Sequence, residues 1–96
     1  MAKLSVYAVY DSKVQYFHQP MFMRNKGEAL RSWELVANEK DHAISRHPED
    51  FNLFELGEYD DQTGQITMHK APISIGLAAQ FKRQDVAPTP LFNQAN

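Results

Sequence analysis

Two pairs of short segments with the two-residue periodicity of β-strands constrain this chain more than any other feature. The first pair is joined by turn-forming residues around Asp11, and the second by a turn ending at Gly64, which can take a left-handed backbone conformation. The pattern therefore predicts two β-hairpins, formed by residues 3–10 with 14–19 and by residues 51–59 with 65–69.

The first of these segments has apolar side chains on both of its faces. One face carries Leu4, Val6, Ala8 and Tyr10, and the other carries Ser5, Tyr7 and Val9. A strand that is apolar on both faces is typical of the interior of a sheet rather than its edge. We therefore expect residues 3–10 to form a central strand.

The segment between the hairpins has the periodicity of an amphipathic helix. Asn25, followed three residues later by Glu28, resembles a capping box, and apolar residues including Trp33 recur at helical spacing up to residue 38. This pattern predicts a helix over residues 28–38, with Trp33 facing the core.

The remaining segments are less regular. Residues 39–50 lack apolar periodicity, which predicts a loop with at most one helical turn, begun by Pro48. Residues 73–81 have apolar side chains at helical spacing and predict a short second helix that ends near Lys82 and Arg83.

The chain has 96 residues and no cysteine, so a hydrophobic core must stabilise it without disulfides. The length suits one domain, which we place at residues 1–83, and the unpatterned residues 84–96 are expected to form a flexible tail. The predicted fold is α+β, in ββαββα order, with an antiparallel sheet of about four strands and the main helix on one face.

Charge is distributed unevenly along the sequence. The net charge is −2, yet residues 47–69 carry six acidic residues and no Lys or Arg, whereas the segments on either side each carry a net charge of +2. An acidic segment beside two basic ones can meet an anion and a basic partner on different surfaces.

No pattern in the sequence points to catalysis, a cofactor or a metal. The serines lack an activating neighbour, the four glycines form no phosphate-binding loop, and the spacing of His42 and His47 matches no zinc motif. We expect neither an enzyme nor a metal centre. We also expect no membrane segment and no signal peptide, because no apolar run approaches the ~18 residues of a membrane span.

Aromatic and basic residues alternate in the first third of the chain. This combination lets a sheet stack nucleic-acid bases while cations follow the phosphates. The candidate nucleic-acid-binding residues are Tyr7, Lys13, Tyr16, Arg24, Lys26 and Arg31.

Four strings in the sequence resemble one known family. They are AVYDSK at residues 8–13, PMF at 20–22, GEALRSW at 27–33 and HPEDFNLFELGEYDDQTG at 47–64. In this order they are similar to the small nonstructural protein of gokushovirus-type microviruses, which are bacteriophages with single-stranded DNA genomes.

The resemblance implies a non-enzymatic phage protein of the host cytoplasm that is absent from the virion and acts in viral DNA replication or packaging. It also implies single-stranded DNA as a partner, and we expect a homodimer. The alternative hypothesis is an interaction module, in which the acidic residues 47–69 engage a phage or host protein.

Overall fold

The computed structural model describes residues 3–83 of the chain, so the predicted tail at residues 84–96 lies outside the described residues. The fold is α+β with an antiparallel sheet, as the sequence predicts. In chain order the elements are β1 (Lys3–Asp11), β2 (Tyr16–Phe17), β3 (Met21–Met23), α1 (Lys26–Ala37), α2 (Ala43–Arg46), β4 (Phe51–Asp60), β5 (Gln65–Leu77) and a 3₁₀ turn (Ala78–Phe81).

The sheet has the strand order β2-β1-β4-β5, and β3 also pairs with β1. All pairings are antiparallel. One edge of β1 pairs with β4 along its whole length, and the other edge pairs with β3 at residues 5–7 and with β2 at residues 10–11. The expected central position of this strand is confirmed.

The first hairpin is shorter than predicted. Only Tyr16 and Phe17 of the expected strand 14–19 pair with β1, because the turn extends to Gln15, which has a φ of 64°. A further strand, β3, follows Pro20 and was not predicted. Three residues are too few to show a periodicity, and β3 owes its conformation to its pairing with β1.

The predicted helix over residues 28–38 is confirmed as α1, which begins two residues earlier, at Lys26. The Asn25 side chain accepts a hydrogen bond from the Glu28 backbone N–H at 2.9 Å, and Glu28 in turn accepts one from the Arg24 N–H at 2.8 Å. Ala29, Trp33 and Ala37 are buried on the face that packs against the sheet. The Trp33 indole N–H donates to the Gly76 carbonyl at 3.1 Å and links the helix to β5.

The helical turn in the connecting segment begins earlier than predicted. It spans Ala43–Arg46, whereas Pro48 lies beyond its end. The His42 ring caps this turn, since its Nδ1 accepts a hydrogen bond from the Ile44 N–H at 3.1 Å. Because the imidazole caps the turn, the turn forms without a proline at its first position.

The predicted helix over residues 73–81 is wrong. Strand β5 continues to Leu77, with Ile73 opposite Glu55 and Leu77 opposite Asn52, and only Ala78–Phe81 form a 3₁₀ turn. Pro72 is tolerated inside β5 because a register shift between Glu55 and Gly57 leaves residues 69–72 outside the pairing.

The core cluster that contacts α1 lies on one side of the sheet. Tyr7, Val9 and Leu53 point from the sheet toward Trp33 of α1, and the 3₁₀ turn packs on the same side, where Phe81 accepts a hydrogen bond from Asn38. No element of residues 3–83 packs on the opposite side of the sheet.

Candidate nucleic-acid interface

The uncovered side of the sheet can be read from the strand register. Residues directly opposite each other in an antiparallel pair point to the same face. Tyr10 lies opposite Phe17, Val6 opposite Phe22, and Tyr59 opposite both Leu4 and Ile66. We call this surface the open face, and its larger members are Leu4, Tyr10, Phe17, Phe22, Phe54, Tyr59, Ile66 and Met68.

The aromatic rings of the open face form two clusters. The Tyr10 ring lies 5.0 Å from that of Phe17, and Phe17 lies 5.7 Å from Phe54. At the other end of the sheet, the rings of Phe22 and Tyr59 are 5.2 Å apart. All these pairs are tilted or edge-on, the geometry that aromatic quadrupoles prefer.

Several of these side chains remain exposed. Phe17 is 42% exposed, Phe22 46%, Ile66 48% and Met68 58%. Single exposed apolar residues are ordinary on protein surfaces, but several on one sheet face are typical of a binding surface.

The edge of the sheet beside the open face carries three of the predicted cations. We call residues 12–26 the edge segment; it contains the β1–β2 turn, both short strands and the start of α1. Lys13 lies in the turn, and Arg24 and Lys26 lie at the junction of β3 with α1. Within residues 3–83, no carboxylate lies within 4 Å of these side-chain nitrogens, so no ion pair in this part of the chain engages them.

Tyr16 and Arg31 lie apart from the open face. Tyr16 is 60% exposed but sits opposite Asp11, which places it on the helix side of the sheet, where its ring is 6.4 Å from that of His18. Arg31 is exposed on α1. The structure therefore does not bring all six predicted residues to one surface.

Tyr7 is wrong as a base-stacking residue, because it belongs to the core. Its side chain is 0% exposed, and its hydroxyl donates a hydrogen bond to Glu55 Oε1 at 3.2 Å. Burial raises the pKa of Tyr7 above its usual value, and the Glu55 charge acts in the same direction. The second oxygen of Glu55 contacts His69 Nε2 at 2.7 Å.

None of the clustered rings of the open face is among the six predicted residues: they belong to Tyr10, Phe17, Phe22, Phe54 and Tyr59. The alternation in residues 3–10 places Tyr10 and Tyr7 on opposite faces of the strand, because the two residues are three positions apart. The alternation does not show which face the helix covers, because both faces of the strand are apolar. The sequence pattern therefore does not show that Tyr7 is the buried tyrosine of the two.

Two of the acidic residues within 47–69 have side-chain partners on neighbouring strands. Glu55 is bonded to Tyr7 and His69, and Glu58 lies 3.8 Å from the Lys3 ammonium. Ligand atoms of His47, Glu49 and Asp50 lie within 4.8 Å of one another at the surface, an arrangement common among exposed acidic groups. His42, weighed with His47 as a metal ligand, instead caps α2.

The fold and the open face define a class: a small α+β protein whose sheet is covered by a helix on one side and presents aromatic rings on the other. A family model described as Phage ORF5 protein matches residues 4–81, so the chain belongs to this family. The resemblance to a small phage protein is thereby confirmed, while the gokushovirus type stays a prediction.

The other comparisons add no relative. No curated protein and no solved structure matches the chain. In residues 3–83, no helix has the length and apolar character needed to cross a membrane.

Proposed function

We propose that this phage protein is a non-enzymatic accessory protein that binds single-stranded DNA on its open face during genome replication or packaging. The observation that carries the proposal is the pair of exposed ring clusters on one uncovered sheet face, around Phe17 and Phe22. Bases of any sequence can stack on aromatic rings, which suits a protein that binds along a genome.

The edge segment supplies the charge that this function requires. Phe17 and Phe22 belong to the same segment as Lys13, Arg24 and Lys26, so bases on the open face and phosphates at the sheet edge can be held together. Because the chain carries a net charge of −2, we expect moderate affinity for single strands with a clear salt dependence.

A fluorescence-anisotropy titration of a labelled oligothymidine at low and moderate salt tests the proposal. We expect saturable binding at low salt that weakens as salt is added. A duplex of the same length is the control, because its bases are not free to stack. The absence of any binding at low salt would contradict the proposal.

The second candidate function is that of an interaction module. The aliphatic members of the open face, Ile66 and Met68, favour a protein partner, because exposed aliphatic side chains gain most from burial against other apolar groups. A second copy of the chain packed on the open face would give the expected homodimer, and the acidic residues 47–69 would then be left to a basic phage or host protein.

Light scattering over a range of protein concentrations discriminates the two. A dimer that Met68→Glu converts to monomer supports the interaction module. A monomer at all concentrations that still binds DNA supports the first proposal.

A further inference from the structure

A cavity of about 600 Å³ lies between α1 and the helix side of the sheet. Its floor is apolar and includes Val9, Trp33 and Leu53, all buried. Its rim is polar and contains Asp11, His18, Gln19, Ser32 and His42. His18 and Gln19 are exposed, so the cavity opens to solvent along the edge segment. The volume falls within the roughly 300–1,000 Å³ typical of small-molecule sites.

The lining selects one kind of ligand. No Lys or Arg from residues 3–83 lines the cavity, and the Asp11 carboxylate would repel a phosphate or a fatty-acid head group. An apolar floor beneath mixed donors and acceptors suits a neutral, flat ring with polar atoms around its margin. The His18 and Phe51 rings, 5.9 Å apart, add aromatic surface at the rim.

Two rim groups have defined hydrogen-bonding roles. His42 Nδ1 accepts from the Ile44 N–H, so in the neutral ring the proton is on Nε2, which can donate. Asp11 Oδ1 accepts from the Lys13 N–H at 3.0 Å, which holds the carboxylate in place while leaving it further acceptor capacity. The rim therefore offers both a donor and a charged acceptor of N–H groups.

The edge segment connects this cavity to the open face. Side chains alternate along β2 and β3, so Phe17 and Phe22 lie on the open face while His18, Met21 and Met23 line the cavity. A DNA strand that crosses this edge of the sheet can stack bases on the open face and insert a base into the cavity on the helix side.

We propose that the cavity binds one purine base, with its amino group directed at Asp11. The choice of a nucleobase as the flat heterocycle rests on the proposed function. The base can come from a DNA strand or from a free nucleoside, and the two sources share the same chemistry.

Trp33 provides the direct readout, because it is the only tryptophan of the chain and forms part of the cavity floor. Deoxyadenosine is titrated against the wild-type protein, and tryptophan fluorescence is corrected for absorption by the nucleoside. We expect saturable quenching, at least fivefold weaker binding of purine 2′-deoxyriboside, which lacks the amino group, and no response to deoxyribose 5-phosphate. Equal or absent responses to all three compounds would overturn the proposal.

Ser32→Phe fills the cavity from α1, and Leu35→Phe adds the same ring on the exposed side of that helix. We expect the first variant to lose nucleoside binding at least tenfold and the second to keep it. If Ser32→Phe does not fold, Asp11→Asn replaces it, since an amide keeps the Oδ1 acceptor and removes the charge. An unchanged affinity of a folded Ser32→Phe or Asp11→Asn protein for deoxyadenosine contradicts the proposal.

Titrations of the wild-type protein with different ligands separate this proposal from the proposed function. If the wild-type protein binds oligothymidine but its Trp33 fluorescence does not respond to purines, the cavity site is overturned and the proposed function stands. Saturable quenching by deoxyadenosine, without any binding of single strands, overturns the proposed function and leaves the cavity as a site for free purines. An oligodeoxyadenosine is then tested for quenching of Trp33 fluorescence. If replacement of one base by an abasic site at a fixed position abolishes the quenching, the base in the cavity comes from a DNA strand.

Discussion

Tyr7 and Tyr10 show how one strand divides its aromatic residues between stability and binding. The two side chains lie three residues apart on β1 and so point to opposite faces. Tyr7 is buried beneath α1 and donates a hydrogen bond to Glu55, whereas the Tyr10 ring contacts Phe17 and Phe54 on the open face. Residue type alone does not distinguish these roles.

The Tyr7 hydroxyl should matter for stability and not for DNA binding. Tyr7→Phe removes its hydrogen bond to Glu55, and we expect the free energy of unfolding to fall by about 1.5 kcal/mol in urea denaturation. Oligonucleotide affinity should stay within a factor of two of wild type. A large loss of affinity in a folded Tyr7→Phe protein would show that Tyr7 contacts the ligand.

The raised pKa of Tyr7 predicts an alkaline pH effect on stability. The folded protein holds this proton more tightly than the unfolded chain, whose tyrosine has a pKa of 10.0. The stabilisation is complete below pH 10.0 and is lost as pH rises toward the folded pKa. Wild type should therefore lose more stability than Tyr7→Phe above pH 10.0, as measured by urea unfolding at a series of alkaline pH values.

Arg24 and Arg31 form a matched pair for testing the cation arrangement. Arg24 lies on the edge segment and Arg31 on the exposed side of α1, so the same change to Glu alters net charge equally. We expect Arg24→Glu to weaken single-strand binding about tenfold and Arg31→Glu less than threefold. Equal losses would mean that only net charge matters.

At the scale of elements, the sequence predicts the parts of the fold that are long and periodic. Strands β1 and β4 and helix α1 have enough residues for their patterns to show, and they agree with the structure within two residues. Strand β3 has three residues and depends on β1. Ile73 and Leu77 have helical spacing, but the pairing of β5 with β4 prevails over it.

The candidate site was predictable in part for the same reason. The cations of the edge segment are visible in the sequence, whereas the exposure of the Phe17 and Phe22 rings is not. The open face as a surface is not visible, because it requires both the strand register and the finding that the 3₁₀ turn packs beside α1.

The close pairing of β4 with β5 depends on Gly57. A Cβ there would lie 2.2 Å from the Thr67 carbonyl oxygen and 2.9 Å from the Met68 Cα. We expect Gly57→Ala to lower the free energy of unfolding by about 3 kcal/mol, because backbone atoms must move. Gly64→Ala, in open space but with a φ of +77°, should cost only about 1–2 kcal/mol, as measured by thermal or urea unfolding.

Gly64→Ala serves as the control for Gly57→Ala because both changes add one methyl group to the same hairpin. A Gly57→Ala protein as stable as wild type would mean that β5 does not approach β4 as closely as described.

At the scale of the whole molecule, the chain combines a negative net charge with a basic edge. Three edge cations, each neutralising one phosphate, predict a slope of roughly −2 for log affinity against log salt concentration. Titrations at four or more salt concentrations measure this slope. A slope near zero would exclude phosphate contacts, and a much steeper one would require cations beyond the edge segment.

The most direct test of the central claim is single-strand binding by a protein whose open face lacks its exposed rings. Phe17→Ala with Phe22→Ala removes one ring from each cluster, and the control Leu35→Ala removes an even more exposed apolar side chain from α1. We expect the double variant to remain folded and to bind oligothymidine at least about tenfold more weakly, since stacking contributes about 1–3 kcal/mol per base. Leu35→Ala should bind as wild type does. A folded double variant with wild-type affinity would contradict the assignment of the open face as the DNA-binding surface.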